Sequence, residues 1–224
     1  MAVYTKLSKE NLRDFFKKYN LGEVINYKGI KEGIENTNYF IETGKGKFIL
    51  TVYEKRVEEK DLPFFIGLMR NLFDSKFPSP EPVINKNGNY VTDIFNKKAA
   101  VVSFVSGAVK KNLSPENCYE VGLMAAKLHT ISKNLAMKRE NKLSVSSWRK
   151  IYEKVQKDCS KIHPKLNKIV EENLDEIEKN WPKDIPAGII HADLFPDNIF
   201  FKNNKLSGII DFYFSCHDFY SFEI

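Results

Sequence analysis

Three oxygen-bearing side chains near the C-terminal end are the residues best placed by type and spacing to do chemistry. Asp193 sits in His191-Ala192-Asp193-Leu194-Phe195-Pro196-Asp197-Asn198, five residues before Asn198, and Asp211 follows Asn198 by thirteen. His-x-Asp-x₄-Asn arises by chance at on the order of one in ten thousand positions, given average residue usage. Here it lies between apolar runs at 188–190 and 199–201, and a third run, 206–210, ends at Asp211. Asn203-Asn204, midway between the last two runs, is a natural turn. A chain folded back there sets Asn198, at the start of one strand, beside the end of its partner, within one register step of Asp211. The loop carboxylate of Asp193 is then close by. Such a convergence suits phosphoryl transfer: Asp193 could accept the proton of a substrate hydroxyl, while Asn198 and Asp211 offer hard oxygen ligands to Mg²⁺ whose shell ATP phosphates and water complete. An ordinary Asp, with a pKa of about 3.9, is a weak base at neutral pH, so its help comes mainly from positioning. His191 is open to two readings, a scaffold that hydrogen-bonds loop backbone or a participant in the chemistry.

These residues need elements to hold them, and the periodicities supply them. Ser8 can cap a helix in which Leu12, Phe15, Phe16 and Tyr19 recur at helical spacing, ending near Leu21-Gly22. Short strand-like runs follow at 24–27, 38–43 and 47–54, with Gly44-Lys45-Gly46 as a hairpin turn. An apolar stripe containing Phe64, Phe65, Leu68 and Leu72 marks a second helix and is core rather than a cofactor box. Asn87-Gly88 predicts a hairpin between 82–84 and 90–94, and the apolar run 99–105 reads as a central strand. Ser106-Gly107-Ala108 reads as a hinge, after which the period changes from two to about 3.6. Ser114 and Pro115 open a helix to about residue 132, and further helices are predicted at 147–157 and 166–181. The expected organisation is an N-terminal nucleotide-binding lobe, 1–105, and a mainly helical catalytic lobe, 106–224.

Composition narrows the classes. The 224 residues are 42% hydrophobic and 29% charged, ordinary globular usage, and 11 Gly with 9 Pro exclude a low-complexity chain. A balance of 35 Lys+Arg against 29 Asp+Glu gives +6, but the basic residues come singly or in pairs among acids, the pattern of a solvated surface rather than a nucleic-acid interface. No apolar run approaches the roughly 20 residues of a membrane span. Cys118, Cys159 and Cys216 fit neither a disulfide framework nor a zinc site, and His129, His163 and His217 lack metal-ligand spacing. With no signal-peptide pattern at the N-terminus, the expected location is the cytoplasm.

The pair His191-x-Asp193-x₄-Asn198 and Asp211-Phe212 resembles the motifs of the aminoglycoside phosphotransferase and choline kinase superfamily, relatives of the protein kinases. More narrowly, three blocks resemble the homoserine kinases of that superfamily: residues 27–39 (Tyr-Lys-Gly-Ile-Lys-Glu-Gly-Ile-Glu-Asn-Thr-Asn-Tyr), Leu50-Thr51-Val52-Tyr53-Glu54-Lys55-Arg56, and 191–198 with Asp211-Phe212-Tyr213-Phe214. The resemblance implies an α+β, two-lobed protein-kinase-like fold and Mg²⁺- and ATP-dependent phosphorylation of the L-homoserine hydroxyl, a step of threonine biosynthesis. It makes Asp193 the catalytic aspartate and Asn198 and Asp211 the metal ligands. A turn running from Gly33 to Asn38 would cover the ATP phosphates, with Asn36 and Thr37 side chains meeting phosphate oxygens. The strand 102–105, with Val102 and Phe104, would pair its backbone with adenine.

The sequence departs from the pattern in two places. Thr51 stands where many superfamily members carry a phosphate-contacting Lys, and Lys47 and Lys55 are the candidate substitutes. The chain also stops soon after the metal motif, whereas the resemblance implies further C-terminal helices, so a fragment or truncated product is expected. Other alcohol kinases, acting on choline-like or aminoglycoside-like acceptors, and a non-catalytic ATP-binding remnant remain alternatives. Oligomeric state is left open.

Overall fold

The computed structural model describes residues 3–32, 35–54 and 57–223. Helix α1 (Lys9–Phe16) starts where Ser8 Oγ accepts the Asn11 N–H at 3.1 Å, an N-cap that satisfies an otherwise orphan donor. It ends earlier than its periodicity predicts. Tyr19 is still buried, but on a tighter turn in which the N–H groups of Lys18 and Tyr19 reach the carbonyls of Phe15 and Phe16.

The main sheet contains β1 (Val24–Gly29), β2 (Thr37–Thr43), β3 (Gly46–Val52), β4 (Pro82–Val83), β5 (Val91–Ile94) and β6 (Lys97–Ser103). Its order is β1-β2-β3-β6-β4, with β5 also on β6, and every pairing is antiparallel. Strand periodicity of two divides the interior. Phe48, Leu50, Val52, Ala99 and Val101 face α1 in one core, while Ala100, Val102 and Tyr53 face a second core built around α2 (Leu62–Asp74). Strands with both faces buried read as continuous apolar runs, which is why 99–102 carries no polar alternation.

The expected hairpin at Asn87-Gly88 does not form. Val83 pairs with Val101 and Val91 with Ala100, so β4 and β5 follow one another along a single edge of β6. The turn residues are right for a tight reversal: Gly88 has φ 79° and its N–H reaches Asn85 O at 3.0 Å. The long apolar edge of β6, however, offers each short strand more pairing than the other could.

The remaining elements are β7 (Ala108–Val109), α3 (Pro115–Ser132), α4 (Val145–Ile162), α5 (Leu166–Asn180), β8 (Ala187–Ile190), β9 (Ile199–Lys202), β10 (Lys205–Ile209) and β11 (Cys216–Phe219). Ser114 caps α3 and Pro115 occupies its first turn, as expected. Strands β7 and β11 escape sequence reading. The first pairs with β9 in a sheet ordered β10-β9-β7, and the second with β8. Leu128 of α3, Ile189 of β8, Ile209 of β10 and Phe212 all join the α2 core, so the elements that carry the candidate site are packed onto the underside of the main sheet. Among the described residues no helix is long and apolar enough to cross a membrane, and the three cysteines are unpaired.

Candidate active site

The apolar strand β8 delivers the chain into a loop whose first residue is buried. His191 is 0% exposed. Its Nε2 lies 2.9 Å from Ile210 O and its Nδ1 accepts the Asp193 N–H at 3.2 Å. A carbonyl can only accept, so these partners assign the proton to Nε2 and leave Nδ1 as the acceptor. Burial lowers its pKa, against the opposing charge of Glu223 and the bond to Ile210, which favours the neutral ring this arrangement needs. Both ring nitrogens thus serve backbone, the scaffold arrangement of the two readings. The ring also leans on Phe212, centroids 4.8 Å apart.

Asp193 then turns outward. The loop closes tightly, with Phe195 N–H to Asp193 O at 2.8 Å, and a 3-10 turn over Pro196–Asn198 sets Asn198 at the head of β9. The Asn198 amide group donates to Asp193 O and to Asp193 Oδ2, both at 2.8 Å, so its Oδ1 is the acceptor left for another partner. The Asn203-Asn204 turn forms with both residues at positive φ, 50° and 63°, the geometry of a primed hairpin turn that twists with its strands. Strand β10 returns opposite β9, Ile209 against Ile199, and Ile210 N–H meets Asn198 O at 3.0 Å. Asp211 is therefore one residue past the position facing Asn198, within the expected step. Asp211 is itself left-handed, φ 64°, which turns the chain into the 3-10 segment Phe212–Phe214.

The electrostatics are those of a site short of positive charge. Asp211 is exposed along one side while protein packs closely about its carboxyl; desolvation, then the charges of Asp193 and Glu35, push its pKa up to about 6. Asp193 is raised too, chiefly by burial, partly offset by the Asn198 bond. Among the described residues no three His, Cys, Asp or Glu side chains are disposed to hold a metal by themselves. Two carboxylates and an amide oxygen nonetheless make a hard-oxygen set suited to a cation that needs few protein ligands, and they would be relieved of mutual repulsion by one.

The other expected positions fare unequally. Gly33 lies outside the described residues. The charge of Glu35 raises both Asp193 and Asp211. Two side chains of the 35–38 segment are committed elsewhere, a correction to the expected phosphate contacts. Thr37 is 0% exposed; its hydroxyl accepts the Tyr4 and Thr5 N–H groups and donates to Glu54 at 2.8 Å. Buried Asn36 accepts the Glu54 N–H at 3.2 Å. Neither side chain is open to a phosphate. Asn38 Oδ1 accepts the Thr51 hydroxyl at 2.8 Å, which accounts for a threonine at that strand position. Lys47 is exposed at the far end of β3, and Lys55 is outside the described residues.

Val102 also needs correction: β3 and β4 flank it on both sides, so its backbone is within the sheet. Phe104, half-exposed and edge-on to Phe40, gives its N–H to Lys47 O at 3.1 Å. The open backbone begins beyond it, with the Phe104 carbonyl and Val105.

Sequence reading missed the residues that brace the site. Arg139 bonds Asp61 at 2.9 Å and the carbonyls of Phe214 and Ser215 at 3.2 and 3.0 Å, and lies over the Phe65 ring. Tyr53 of the sheet donates to the Tyr213 hydroxyl at 3.2 Å. Beside Asp193 opens a cleft of about 430 Å³ lined by Val109, Lys110, Lys111, Phe195, Pro196 and Asp197. Lys110 is occupied, bonded to Asn117 and Asn204 and set 4.9 Å over the Phe201 ring. Lys110 and Asn117 apart, these contacts join residues distant in the chain and so have no local sequence signal.

A sheet against a helical region, with an acid, an amide and a second acid gathered by a β-hairpin beneath it, is the architecture of a phosphotransferase. Residues 26–224 match the family model described as the phosphotransferase enzyme family, and the chain belongs to that family. All 224 residues align with the homoserine kinase of Nitrobacter winogradskyi at 44% identity, covering 69% of that protein. Against the homoserine kinase of Methylobacterium radiotolerans the identity is 43%, covering 70% of it. A spectinomycin phosphotransferase crystallised with ADP and spectinomycin superposes with a TM-score of 0.74 at 13% identity, over 98% of this chain and 73% of its own. The fold is accordingly the α+β, two-lobed, protein-kinase-like fold of the aminoglycoside phosphotransferases.

Proposed function

We propose that the chain transfers the γ-phosphate of ATP to the hydroxyl of L-homoserine, giving O-phospho-L-homoserine and ADP in the cytoplasm, a step of threonine biosynthesis. The observation that carries the reading is the closure of the β9–β10 hairpin, with Ile210 N–H on Asn198 O at 3.0 Å and Asn198 on Asp193 Oδ2 at 2.8 Å. It gathers the three oxygen-bearing groups at one end of one ribbon. The 43–44% identity with homoserine kinases supports the choice of acceptor.

In this reading residues 1–105 bind the nucleotide and 106–224 carry the chemistry. The segment from Gly33 to Asn38 would cover the phosphates, and the Phe104 carbonyl and Val105 backbone would meet adenine. Asn198 Oδ1 and Asp211 hold Mg²⁺, which neutralises charge on the phosphates when bound. Asp193 accepts a hydrogen bond from the acceptor hydroxyl and aligns its oxygen for in-line attack. The proton passes to Asp193 as the O–P bond forms and ADP departs. The raised pKa of Asp193 brings it closer to useful basicity than a solvated Asp. His191 positions that loop. The cleft beside Asp193 with Lys111 and Asp197 takes the small-molecule acceptor.

An ADP-release assay across a panel of alcohols tests this. Homoserine should give the highest kcat/KM, with choline and aminoglycosides near background. Preference for either of those would transfer the reading to another alcohol kinase, and ATP binding without turnover on any alcohol would leave a nucleotide-binding remnant.

A further inference from the structure

Glu54 stands just past the end of β3 with its side chain 10% exposed, and it has no part in the chemistry described above. Its Oε1 accepts the Thr5 and Thr37 hydroxyls at 2.7 and 2.8 Å, and its Oε2 takes the Lys97 ammonium from the start of β6. Lys97 also donates to Thr5 Oγ1 at 2.7 Å. The Glu54 N–H goes to Asn36 Oδ1 at 3.2 Å. The Thr37 hydroxyl is saturated: its one proton goes to Glu54, and its oxygen takes the Tyr4 N–H at 3.0 Å and the Thr5 N–H at 3.1 Å. Residues 4–7 continue along β2, where the Tyr39 hydroxyl donates to Thr5 O and accepts the Leu7 N–H, both at 2.9 Å. One carboxylate thereby ties the N-terminal segment, the entry to β2 and the start of β6 at a single point.

Burial opposes the charge of Glu54, but the bonds from Lys97, Thr5 and Thr37 outweigh it and hold its carboxyl below the usual range. An apolar cluster would join the same three segments without burying a charge, but it would not fix where the Asn36 amide and the Thr37 hydroxyl point. The residue before them, Glu35, carries a charge that acts on both Asp193 and Asp211. We propose that Glu54 is a positioning residue for nucleotide binding: its carboxylate and N–H fix Asn36 and Thr37, and with them the segment that covers the phosphates. The effect on ATP rests on the reading of the Gly33–Asn38 segment given above; the tie between residues 5, 37, 54 and 97 does not.

Glu54→Gln in the whole chain keeps an acceptor for the two hydroxyls but sets an NH₂ group against the Lys97 ammonium. Thr5→Val removes the hydroxyl that Glu54 and Lys97 share. Each should raise the Kd for Mg-ATP, measured by calorimetry, by about 3–10-fold, while kcat with homoserine at saturating ATP changes less than about twofold. Combined, they should raise Kd no more than about twofold beyond the weaker-binding single variant, because both break one cluster. Thr5→Ser, which keeps the hydroxyl, should bind as wild type. Amide hydrogen exchange at Tyr4 and Thr5 should accelerate about tenfold in Glu54→Gln and Thr5→Val, while Ile41 and Leu50 inside β2 and β3 keep their protection. If Glu54→Gln does not fold, Thr5→Val against Thr5→Ser is read in the same way. Wild-type affinity in both single variants, losses that multiply in the double variant, or exchange that rises evenly through β2 and β3 would reduce Glu54 to general packing and overturn the proposal. A wild-type chain that binds no Mg-ATP would instead sink the functional reading, and exchange at residues 4 and 5 would still judge the tie.

Discussion

Asp211 concentrates the tension of the site in one residue. Its carboxyl is pushed up to about 6 by desolvation and by neighbouring negative charge. Below the ordinary carboxylate value the folded and unfolded chains both hold that proton. Between that value and about 6 the folded chain keeps a proton the unfolded chain has lost, so stability falls as pH rises, and above about 6 the loss is complete. Asp211→Asn removes this loss. Without metal or nucleotide the variant should melt above wild type by roughly 1–4 °C at pH 7.5, water in the cleft screening part of the effect, and not at pH below 4. Excess Mg²⁺ should narrow the gap by stabilising the ionised wild type only. A higher-melting wild type at pH 7.5 in the absence of metal would mean that the carboxylate is satisfied by the protein and is no metal ligand. Asp193, Asn198 and Asp211 were legible because the types and spacings of the residues constrain them strongly. Thr37 and Asn36 were not: whether a polar side chain faces a ligand or its own backbone depends on Glu54, which reaches them only once β2 and β3 have paired.

Among the elements, the β9–β10 hairpin and the segment leading to β7 form a unit. Gly107 has φ 136°, and a Cβ there would stand 2.5 Å from Ser207 Oγ and 2.8 Å from Phe201 O, while Ser207 Oγ bonds Ser106 O at 2.7 Å. The stretch read as a hinge is thus pinned against the hairpin that carries Asn198. Gly107→Ala should cost about 2–3 kcal/mol, combining an unfavourable φ with a clash against backbone, and urea denaturation will measure it. A loss under about 0.5 kcal/mol would show that β7 can move away from β9 freely. Helices α2, α3 and α5 were legible from apolar spacing and, for α3, the Ser114-Pro115 start. Strands β7 and β11 were not, because a pair of residues has no period and β11 owes its form to β8. The Asn87-Gly88 segment failed for a related reason: a turn signal fixes where the chain bends but not which edge its flanks will join.

At the scale of the molecule, contacts across long sequence distances join the main sheet and α2 to the site. Asp61 at the start of α2, Arg139 after α3 and the carbonyls of Phe214 and Ser215 form one network. Burial opposes the charge on Asp61, but Arg139 and Lys142 outweigh it and hold its carboxyl below the usual range. Arg139→Ala leaves two carbonyls without their donor and that acid with Lys142 alone, and should destabilise by roughly 1–3 kcal/mol, seen as a lower Tm at pH 7. No change in Tm would mean that water replaces the guanidinium at no cost. The overall fold was legible because an alternation of two gives way to helical spacing near residue 106; the bracing by Arg139 and Tyr213 was not, because it exists only after folding.

The most direct test follows the phosphorus atom itself. Phosphorus NMR of wild type with Mg²⁺, ATP and L-homoserine should show a phosphomonoester appearing in step with ADP. Asp193→Asn should slow that by a factor of about 10²–10⁴ while nucleotide still raises its Tm as in wild type. An Asp193→Asn protein that makes the ester at the wild-type rate, or a wild type that binds nucleotide and never forms it, would contradict the account.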